Sequence, residues 1–331
     1  MSLFFITFLL GHLLGDFYFQ SNALAKAKRA KGIKGKRSLA RHCIIYAVVC
    51  FVCALLGCDL PTALLAALLL GVLHAIIDTV SVVLRQRYCS APEGRGFSEE
   101  QSGEPKKKIR APLIFFLVDQ ALHIFCIVLV ALFLSAQEMG MPFSLELTHQ
   151  LAPQLGLAYQ SDCLPTLCID DSTLQAYKQG LAWLTAILLC IWPAMITVRL
   201  VMESLRVGNK EGSRIATVDN ASEAHCVGGS SIQKNDDETG KESKAAAETE
   251  KRSDTSRESM LQAGSIIGVL ERLAILLFWP LAGAATGAFA VAIKALARFK
   301  QLDDIETAEL FLVGTFTSVL FAGAALLLVN L

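Results

Sequence analysis

Charge is scarce in this chain of 331 residues. Charged residues make up 18% of it, whereas a soluble domain carries about 25%. Basic and acidic residues balance at 30 each, so the chain lacks the positive field that nucleic-acid-binding proteins use. Hydrophobic residues make up 53%, and the mean hydropathy is +0.50. This composition excludes a soluble enzyme, a disordered regulator and a nucleic-acid partner.

A disulfide framework is also absent, although the chain has ten cysteines. Most of them lie within apolar runs, where cysteine behaves as a small apolar residue; these are Cys43, Cys50, Cys53, Cys58, Cys126 and Cys190. Cys163 and Cys168 lie in a hydrophilic stretch instead. In an oxidising compartment they could form a disulfide, and two free thiols are the alternative.

Long apolar runs are abundant. A membrane-spanning helix needs about 20 mainly apolar residues. The candidate runs are about 2–20, 42–58, 62–84, 111–135, 180–201, 266–293 and 308–330. We therefore predict an all-α, polytopic integral membrane protein, a helical bundle with six or seven transmembrane segments.

The loops between these runs predict the orientation. Residues 21–41 contain eight Lys or Arg and no acid. Because positively charged loops stay in the cytoplasm, this loop is predicted to be cytoplasmic and the N-terminus external. The same rule places 85–110 and 202–262 in the cytoplasm and 136–179 outside.

Five regions follow from this pattern. They are a four-span unit bearing His and Asp (1–135), an external loop (136–179), a fifth span (180–201), a disordered cytoplasmic linker (202–262) and a C-terminal membrane unit (263–331). The linker is rich in Ser, Gly, Glu and Lys and poor in aromatic residues, which is typical of disorder. A cytoplasmic protein partner could bind there.

The sixth apolar run has two readings. Pro280 and Gly283 interrupt it, and charged residues flank it: Glu271, Arg272, Lys294 and Arg298. A re-entrant hairpin would keep both charged ends in the cytoplasm. Glu271 could then pair with Lys294 or Arg298, and the bases could receive an anionic headgroup or phosphate. A single kinked span is the alternative.

Polar residues inside the apolar runs share one spacing. Three spans carry a His and an Asp four residues apart: His12 with Asp16, His74 with Asp78, and Asp119 with His123. This spacing places both side chains on one helical face. In the fourth span Asp precedes His. This span runs in the opposite direction to the first and third, so the reversed order places all three carboxylates at the same depth in the membrane. His42 begins the second span at nearly the same height, and Gln20 and Gln120 extend the pattern.

We interpret these residues as one polar site near the cytoplasmic leaflet. An acid at the centre of a membrane helix costs about 2.5–3.5 kcal/mol, so three of them need a compensating partner. Imidazole with carboxylate suits Zn, Mn or Fe. The predicted metal ligands are His12, His42, His74, His123, Asp16, Asp78 and Asp119. The three aspartates are also the candidate catalytic residues. A proton or ion pathway and plain interhelical hydrogen bonding are the alternatives.

The same residues resemble a bacterial family of integral membrane proteins catalogued as a domain of unknown function, the 3307 family. The resemblance covers about residues 3–135, in His12-Leu-Leu-Gly-Asp16-Phe-Tyr-Phe-Gln20, His42, His74-Ala-Ile-Ile-Asp78 and Asp119-Gln120-Ala-Leu-His123. A second block resembles longer members, in Gly264-Ser-Ile-Ile-Gly268-Val-Leu-Glu271-Arg272 and Lys294-Ala-Leu-Ala-Arg298. The resemblance implies a bacterial inner-membrane location and brings no activity. A distantly similar group is described as predicted metal-dependent hydrolases.

The functional prediction is a metal-dependent hydrolase that acts on a lipid-linked or phosphorylated substrate reaching the site from the membrane. In it, the histidines and some of the aspartates hold the metal, and a remaining carboxylate acts as the general base. Two alternatives stay open. One is a transporter of protons or metal ions, and the other is a non-enzymatic membrane regulator or scaffold.

Overall fold

The chain folds into helices, as its composition predicts. The computed structural model describes residues 3–89, 111–136, 142–144, 147, 171–223, 264–297 and 305–330. Throughout these ranges the regular structure is helical, with no strand. The prediction of an all-α fold is therefore confirmed.

Nine helices have both ends within the described residues, and Phe143, Ser144 and Leu147 are also helical. The nine helices are α1 (Leu3–Leu13, continued by a π-helical turn, Leu14–Tyr18), α2 (Asn22–Ala27), α3 (Ile33–Ala54), α4 (Leu60–Cys89), α5 (Ala111–Ser135), α6 (Asp171–Glu223), α7 (Gly264–Ala282), α8 (Ala284–Ala297) and α9 (Ile305–Asn330). Ser21 caps α2 by accepting a hydrogen bond from Leu24 N. Gly32, with φ of 84°, precedes α3 in a backbone conformation that favours glycine.

The helices have the length and surface of membrane helices. Among the described residues, six are long and apolar enough to cross a bilayer, namely α3, α4, the first part of α6, α7, α9 and most of α5. Leu64, Leu68, Val72 and Ile76 are exposed along one side of α4, whereas His74 on the same helix is buried. Apolar residues outside and polar residues inside are the arrangement that lipid requires. The predicted polytopic membrane bundle is confirmed.

One helix continues beyond its apolar part. The fifth span was expected to end at residue 201, but α6 continues without a break to Glu223. No proline follows Pro193 within the helix, so its backbone hydrogen bonds can continue into the predicted linker. Residues 224–262 of that linker lie outside the described residues, and partner binding there stays a prediction.

The chain divides into two compact units. The first comprises Met1–Pro193 with Gly323–Leu331, and the second comprises Ala194–Ala322. In the first unit, α1 and α4 each contact both α3 and α5, which closes a ring of four helices. The α1–α3 contact is close because Gly11 and Gly15 face α3. A Cβ at Gly15 would lie 2.8 Å from Tyr46 Cδ2.

The second unit contains a helical hairpin. Gly283 separates α7 from α8 with a φ of 54°. Lys294 Nζ on α8 donates a hydrogen bond of 2.7 Å to Glu271 Oε2 on α7. In one straight helix these residues would lie about 34 Å apart at 1.5 Å per residue, so the chain must fold back at Gly283. The predicted pairing of Glu271 with Lys294 is therefore seen. The re-entrant hairpin and the single kinked span stay predictions.

Candidate metal centre

The ring of four helices encloses one polar cluster. All seven predicted ligand residues lie in it: His12 and Asp16 from α1 and its π turn, His42 from α3, His74 and Asp78 from α4, and Asp119 and His123 from α5. The four histidines are almost fully buried. The structure thus brings together residues that are up to 111 positions apart in the sequence. Their roles as ligands or catalytic groups stay predictions.

The π turn places Asp16. Phe19 N donates to Leu14 O at 2.8 Å, five residues back, instead of the four of an α-helix. The turn widens the helix at Leu14–Tyr18, and Asp16 lies at its middle. Such wide turns inside helices are frequent at functional sites. The sequence predicts an ordinary helix here, so the structure adds this feature.

The first group of atoms meets at His42. His42 Nε2 lies 3.1 Å from His74 Nε2 and 3.2 Å from Asp16 Oδ1. Asp78 Oδ2 lies 3.4 Å from the same nitrogen and 3.7 Å from His74 Nε2. The Tyr46 ring stacks on His74 with centroids 3.6 Å apart, which fixes the orientation of that imidazole. Two nitrogens and two carboxylates from α3, α4 and the π turn therefore converge on one point.

A second group is built around Gln120. Its Nε2 donates to Asp16 Oδ2 at 3.1 Å and to Asp119 Oδ2 at 3.3 Å. Its Oε1 accepts a hydrogen bond of 3.2 Å from His12 Nε2. His123 Nδ1 donates to the backbone oxygen of Asp119 at 2.8 Å. Asp16 thus uses one carboxylate oxygen toward His42 and the other toward Gln120.

These side chains have the composition of a metal site. Three overlapping groups offer ligand atoms within 4.8 Å of one another: Asp16, His42 and His74; His74, Asp78 and His123; and Asp16, Asp119 and His123. His123 Nε2 is buried and has no hydrogen-bond partner within the described residues. The same holds for Nδ1 of His42 and of His74. Buried nitrogens without partners are costly, and the site contains three of them.

Three contacting residues were missed by the sequence analysis. Lys28 Nζ donates to Asp78 Oδ2 at 2.8 Å. The Tyr46 hydroxyl lies 3.4 Å from His12 Nδ1, and the Ser81 hydroxyl donates to Asp119 Oδ1. Tyr46 follows His42 by four residues, so the helical spacing could have indicated it. Lys28 had no such signal, because the chain between α1 and α3 must fold back to bring it there.

Gln20 joins Lys28 to the cluster. With its amide oriented to satisfy both neighbours, the Gln20 oxygen accepts a hydrogen bond of 2.9 Å from Lys28 Nζ. Its nitrogen donates to the backbone oxygen of Asp16 at 3.0 Å. The predicted proximity of Gln20 and Gln120 to the polar residues is thus observed. The polar network reaches from the helical ring to the basic segment 21–41.

The remaining predicted residues lie in the second unit. Glu271 pairs with Lys294, and Arg272 is buried, where it donates to Ser318 Oγ at 3.0 Å. Arg298 lies outside the described residues. An anion site at these bases stays a prediction.

Fold and cluster define a multi-pass membrane protein with a buried His/Asp centre. Residues 4–152 match the model of the family described as Protein of unknown function (DUF3307). The family predicted from the sequence is thereby confirmed, and the matched region contains all seven candidate ligands. No curated protein and no solved structure matches the chain.

Proposed function

We propose that the cluster in the first unit binds a divalent metal ion and that the protein uses this ion to hydrolyse a lipid-linked or phosphorylated substrate. The supporting observation is the spacing of three ligand atoms. His42 Nε2 lies 3.1 Å from His74 Nε2 and 3.2 Å from Asp16 Oδ1. Atoms held about 2.0–2.1 Å from a tetrahedral ion lie about 3.3–3.4 Å apart. These distances therefore suit a shared ion.

The charges of the cluster also favour a cation. Three carboxylates, those of Asp16, Asp78 and Asp119, meet there, and Lys28 contacts one of them. Each acid costs about 2.5–3.5 kcal/mol at the centre of a membrane helix. A divalent ion would offset much of this cost. Imidazole nitrogen with carboxylate oxygen is a donor set suited to Zn, Mn or Fe.

The residues divide into two roles. Asp16, His42 and His74 would hold the ion, and Asp78 would accept a proton. Lys28 orients the Asp78 carboxylate through its hydrogen bond of 2.8 Å. When bound, the ion supplies Lewis acidity that makes water a nucleophile at neutral pH. The water oxygen then bonds to the electrophilic centre, its proton passes to Asp78, and the leaving group departs with that proton.

The surroundings of the site favour hydrolysis over transport. Phe8, Cys50 and Ile127 lie one helical turn beyond His12, Tyr46 and His123, on the side away from α2. They belong to a buried apolar cluster that closes that side of the ring. A transporter needs a polar path on both sides of its site. An enzyme needs access for its substrate from one side only. The polar side chains of Lys28 and Gln20 lie on the side that could give this access.

The proposal predicts that the purified full-length chain contains metal. The chain would be loaded with Zn²⁺ in mild detergent, dialysed against metal-free buffer and analysed by plasma mass spectrometry. We expect the wild type to retain Zn²⁺ and His42→Ala to hold less. Thr185→Val is the matched control, because Thr185 is buried in the same unit and its hydroxyl donates to Leu181 O of its own helix.

Two results would contradict the proposal. One is a wild type that keeps no metal after dialysis, and the other is His42→Ala with the metal content of the wild type. Gel filtration of each variant checks that it is folded. A loss of metal by Thr185→Val as well would show that the content reports stability instead of ligation.

A further inference from the structure

We infer that the cluster holds a second cation beside the first, bound by Asp16, Asp119 and His123, and that the pair of ions takes a phosphoryl group as its substrate. The inference rests on the proposed metal centre. Asp16 connects the two positions. Its Oδ1 lies 3.2 Å from His42 Nε2, whereas its Oδ2 faces Gln120 and Asp119. A carboxylate shared in this way is suited to bridge two ions.

The Gln120 amide lies where the second cation would lie. Its Nε2 donates both to Asp16 Oδ2 at 3.1 Å and to Asp119 Oδ2 at 3.3 Å. The partly positive NH₂ group therefore lies between two carboxylates, where a cation would be expected. The amide also offers an oxygen ligand after a rotation about its last torsion, so Gln120 need not leave the site when a cation enters.

His123 is prepared to bind metal at this position. Its Nδ1 donates to the backbone oxygen of Asp119 at 2.8 Å, so the hydrogen of the neutral ring is on Nδ1 and the lone pair is on Nε2. That Nε2 is buried and has no partner among the described residues. A histidine fixed through Nδ1–H with a free Nε2 is the usual form of a metal ligand. Asp16, Asp119 and His123 also form one of the three possible metal-binding groups, and His123 Nδ1 lies 3.8 Å from Asp119 Oδ2.

The number of ligands favours two ions. A divalent transition ion takes about four to six ligands, and seven candidate residues meet in this ring. The first ion uses Asp16, His42 and His74, and Asp78 accepts the proton, which leaves His12, Asp119 and His123 without a role. Two-metal sites hold their ions about 3.5–4 Å apart. A bridging Asp16 would suit such a spacing.

The charge of the loaded site points to the substrate class. Two divalent ions with Lys28 would outweigh the three carboxylates by two charges. A site with this surplus attracts a dianion, and two ions together stabilise the attacking and leaving oxygens of phosphoryl transfer. The phosphoryl group could belong to a lipid headgroup or to a soluble phosphoester. In either case water attacks phosphorus, the P–O bond to the alcohol breaks, and the alcohol leaves with the proton from Asp78.

Metal stoichiometry tests the second cation. Full-length chain in detergent would be equilibrated with Zn²⁺ alone, and bound metal would be counted per chain. We expect about two ions for the wild type and about one for Asp119→Asn and for His123→Gln. One ion in the wild type would overturn the second cation and leave the proposed function intact. No ion would overturn both, and two ions in both variants would overturn the assigned ligands.

A spectroscopic measurement keeps the test decisive if one variant fails to fold. With Mn²⁺ in place of Zn²⁺, neighbouring ions give an exchange-coupled electron paramagnetic resonance spectrum. We expect coupling in the wild type and in Thr185→Val, and an isolated-ion spectrum in the folded variant of Asp119 or His123. An uncoupled spectrum in a wild type that binds two ions would place the second ion elsewhere and overturn the inference.

Two phosphate esters distinguish the sources of the phosphoryl group. Release of inorganic phosphate would be measured from phosphatidic acid in mixed micelles and from glycerol phosphate in solution. Release from the micelles alone identifies a lipid headgroup, and release from both identifies the phosphoryl group as the recognised part. Release from neither, by a protein that holds both ions, would overturn the substrate class.

Discussion

The two units both bury charged side chains but balance them differently. In the second unit, Glu271 and Lys294 form a pair of one acid and one base, with a hydrogen bond of 2.7 Å. In the first unit, three carboxylates and four histidines meet, and Lys28 contacts one carboxylate. A balanced pair can hold two helices together and needs nothing more. An excess of acid inside a membrane is costly, which is why a bound cation is the simplest explanation for it.

The largest expected contrast concerns how the second unit meets the membrane. If α7 and α8 form a re-entrant hairpin, both of their outer ends lie on one side. α8 has 14 residues and is too short to cross a bilayer, which needs about 20. Cysteines introduced at Gly264 and at Ala297 should both resist an impermeant thiol reagent in intact cells and both react after permeabilisation.

The labelling needs a background in which Cys163 and Cys168 are replaced by serine, since that loop is predicted to be external. A cysteine at Lys31 is the matched control for the cytoplasmic side. Reaction of the cysteine at Ala297 but not of the cysteine at Gly264 in intact cells would show a single crossing. It would contradict the re-entrant hairpin.

The second contrast is in stability. Asp78→Ala leaves the Lys28 ammonium, which is 11% exposed, without its carboxylate. Breaking a buried ion pair costs about 3–5 kcal/mol, and we expect a loss at the lower end of this range. Glu271→Ala breaks the pair of the second unit, whose side chains are 15–16% exposed, and we expect about 1 kcal/mol. Unfolding by SDS titration in detergent measures both free energies. Equal losses would mean that the two units bury their charges at the same cost.

The sequence predicted the cluster because its pattern is local. A spacing of four residues is a property of one helix, so His12 with Asp16 and His74 with Asp78 could be placed on shared faces without a structure. The level at which the pairs meet followed from the directions of the spans. The same reasoning could have found Tyr46, which follows His42 by one turn.

Other parts of the site depend on tertiary packing and were not predictable. Lys28 reaches Asp78 across 50 residues because the chain folds back after the π turn. The π turn was not predicted either, because no residue in Leu14–Tyr18 signals it. The sequence alone does not give the end of α6, because the polar composition after residue 201 is compatible with either a helix or a linker.

A smaller effect tests the close contact that positions the π turn. Gly15→Ala would place a Cβ 2.8 Å from Tyr46 Cδ2, and overpacking of this kind costs about 1–3 kcal/mol. Gly287→Ala in α8 is the matched control, because nothing lies within 4 Å of its Cβ position. There alanine should be neutral or stabilise the helix by up to about 1 kcal/mol. Indistinguishable SDS midpoints for the two variants would show that α1 and α3 can separate freely.

The smallest expected effect distinguishes a residue that positions the ligands from a residue that binds the metal. Tyr46→Phe removes a hydroxyl that lies 3.4 Å from His12 Nδ1 and keeps the ring that stacks on His74. A hydrogen bond of this kind contributes about 0.5–1.5 kcal/mol, so stability should fall slightly. Bound Zn²⁺ should be unchanged, because the phenol is not among the proposed ligands. Tyr177→Phe is the control. Its hydroxyl donates a hydrogen bond of 2.7 Å to Leu56 O and lies outside the cluster. Loss of Zn²⁺ from Tyr46→Phe but not from Tyr177→Phe would make the phenol part of the metal centre, and the ligand set would have to be redrawn around His12.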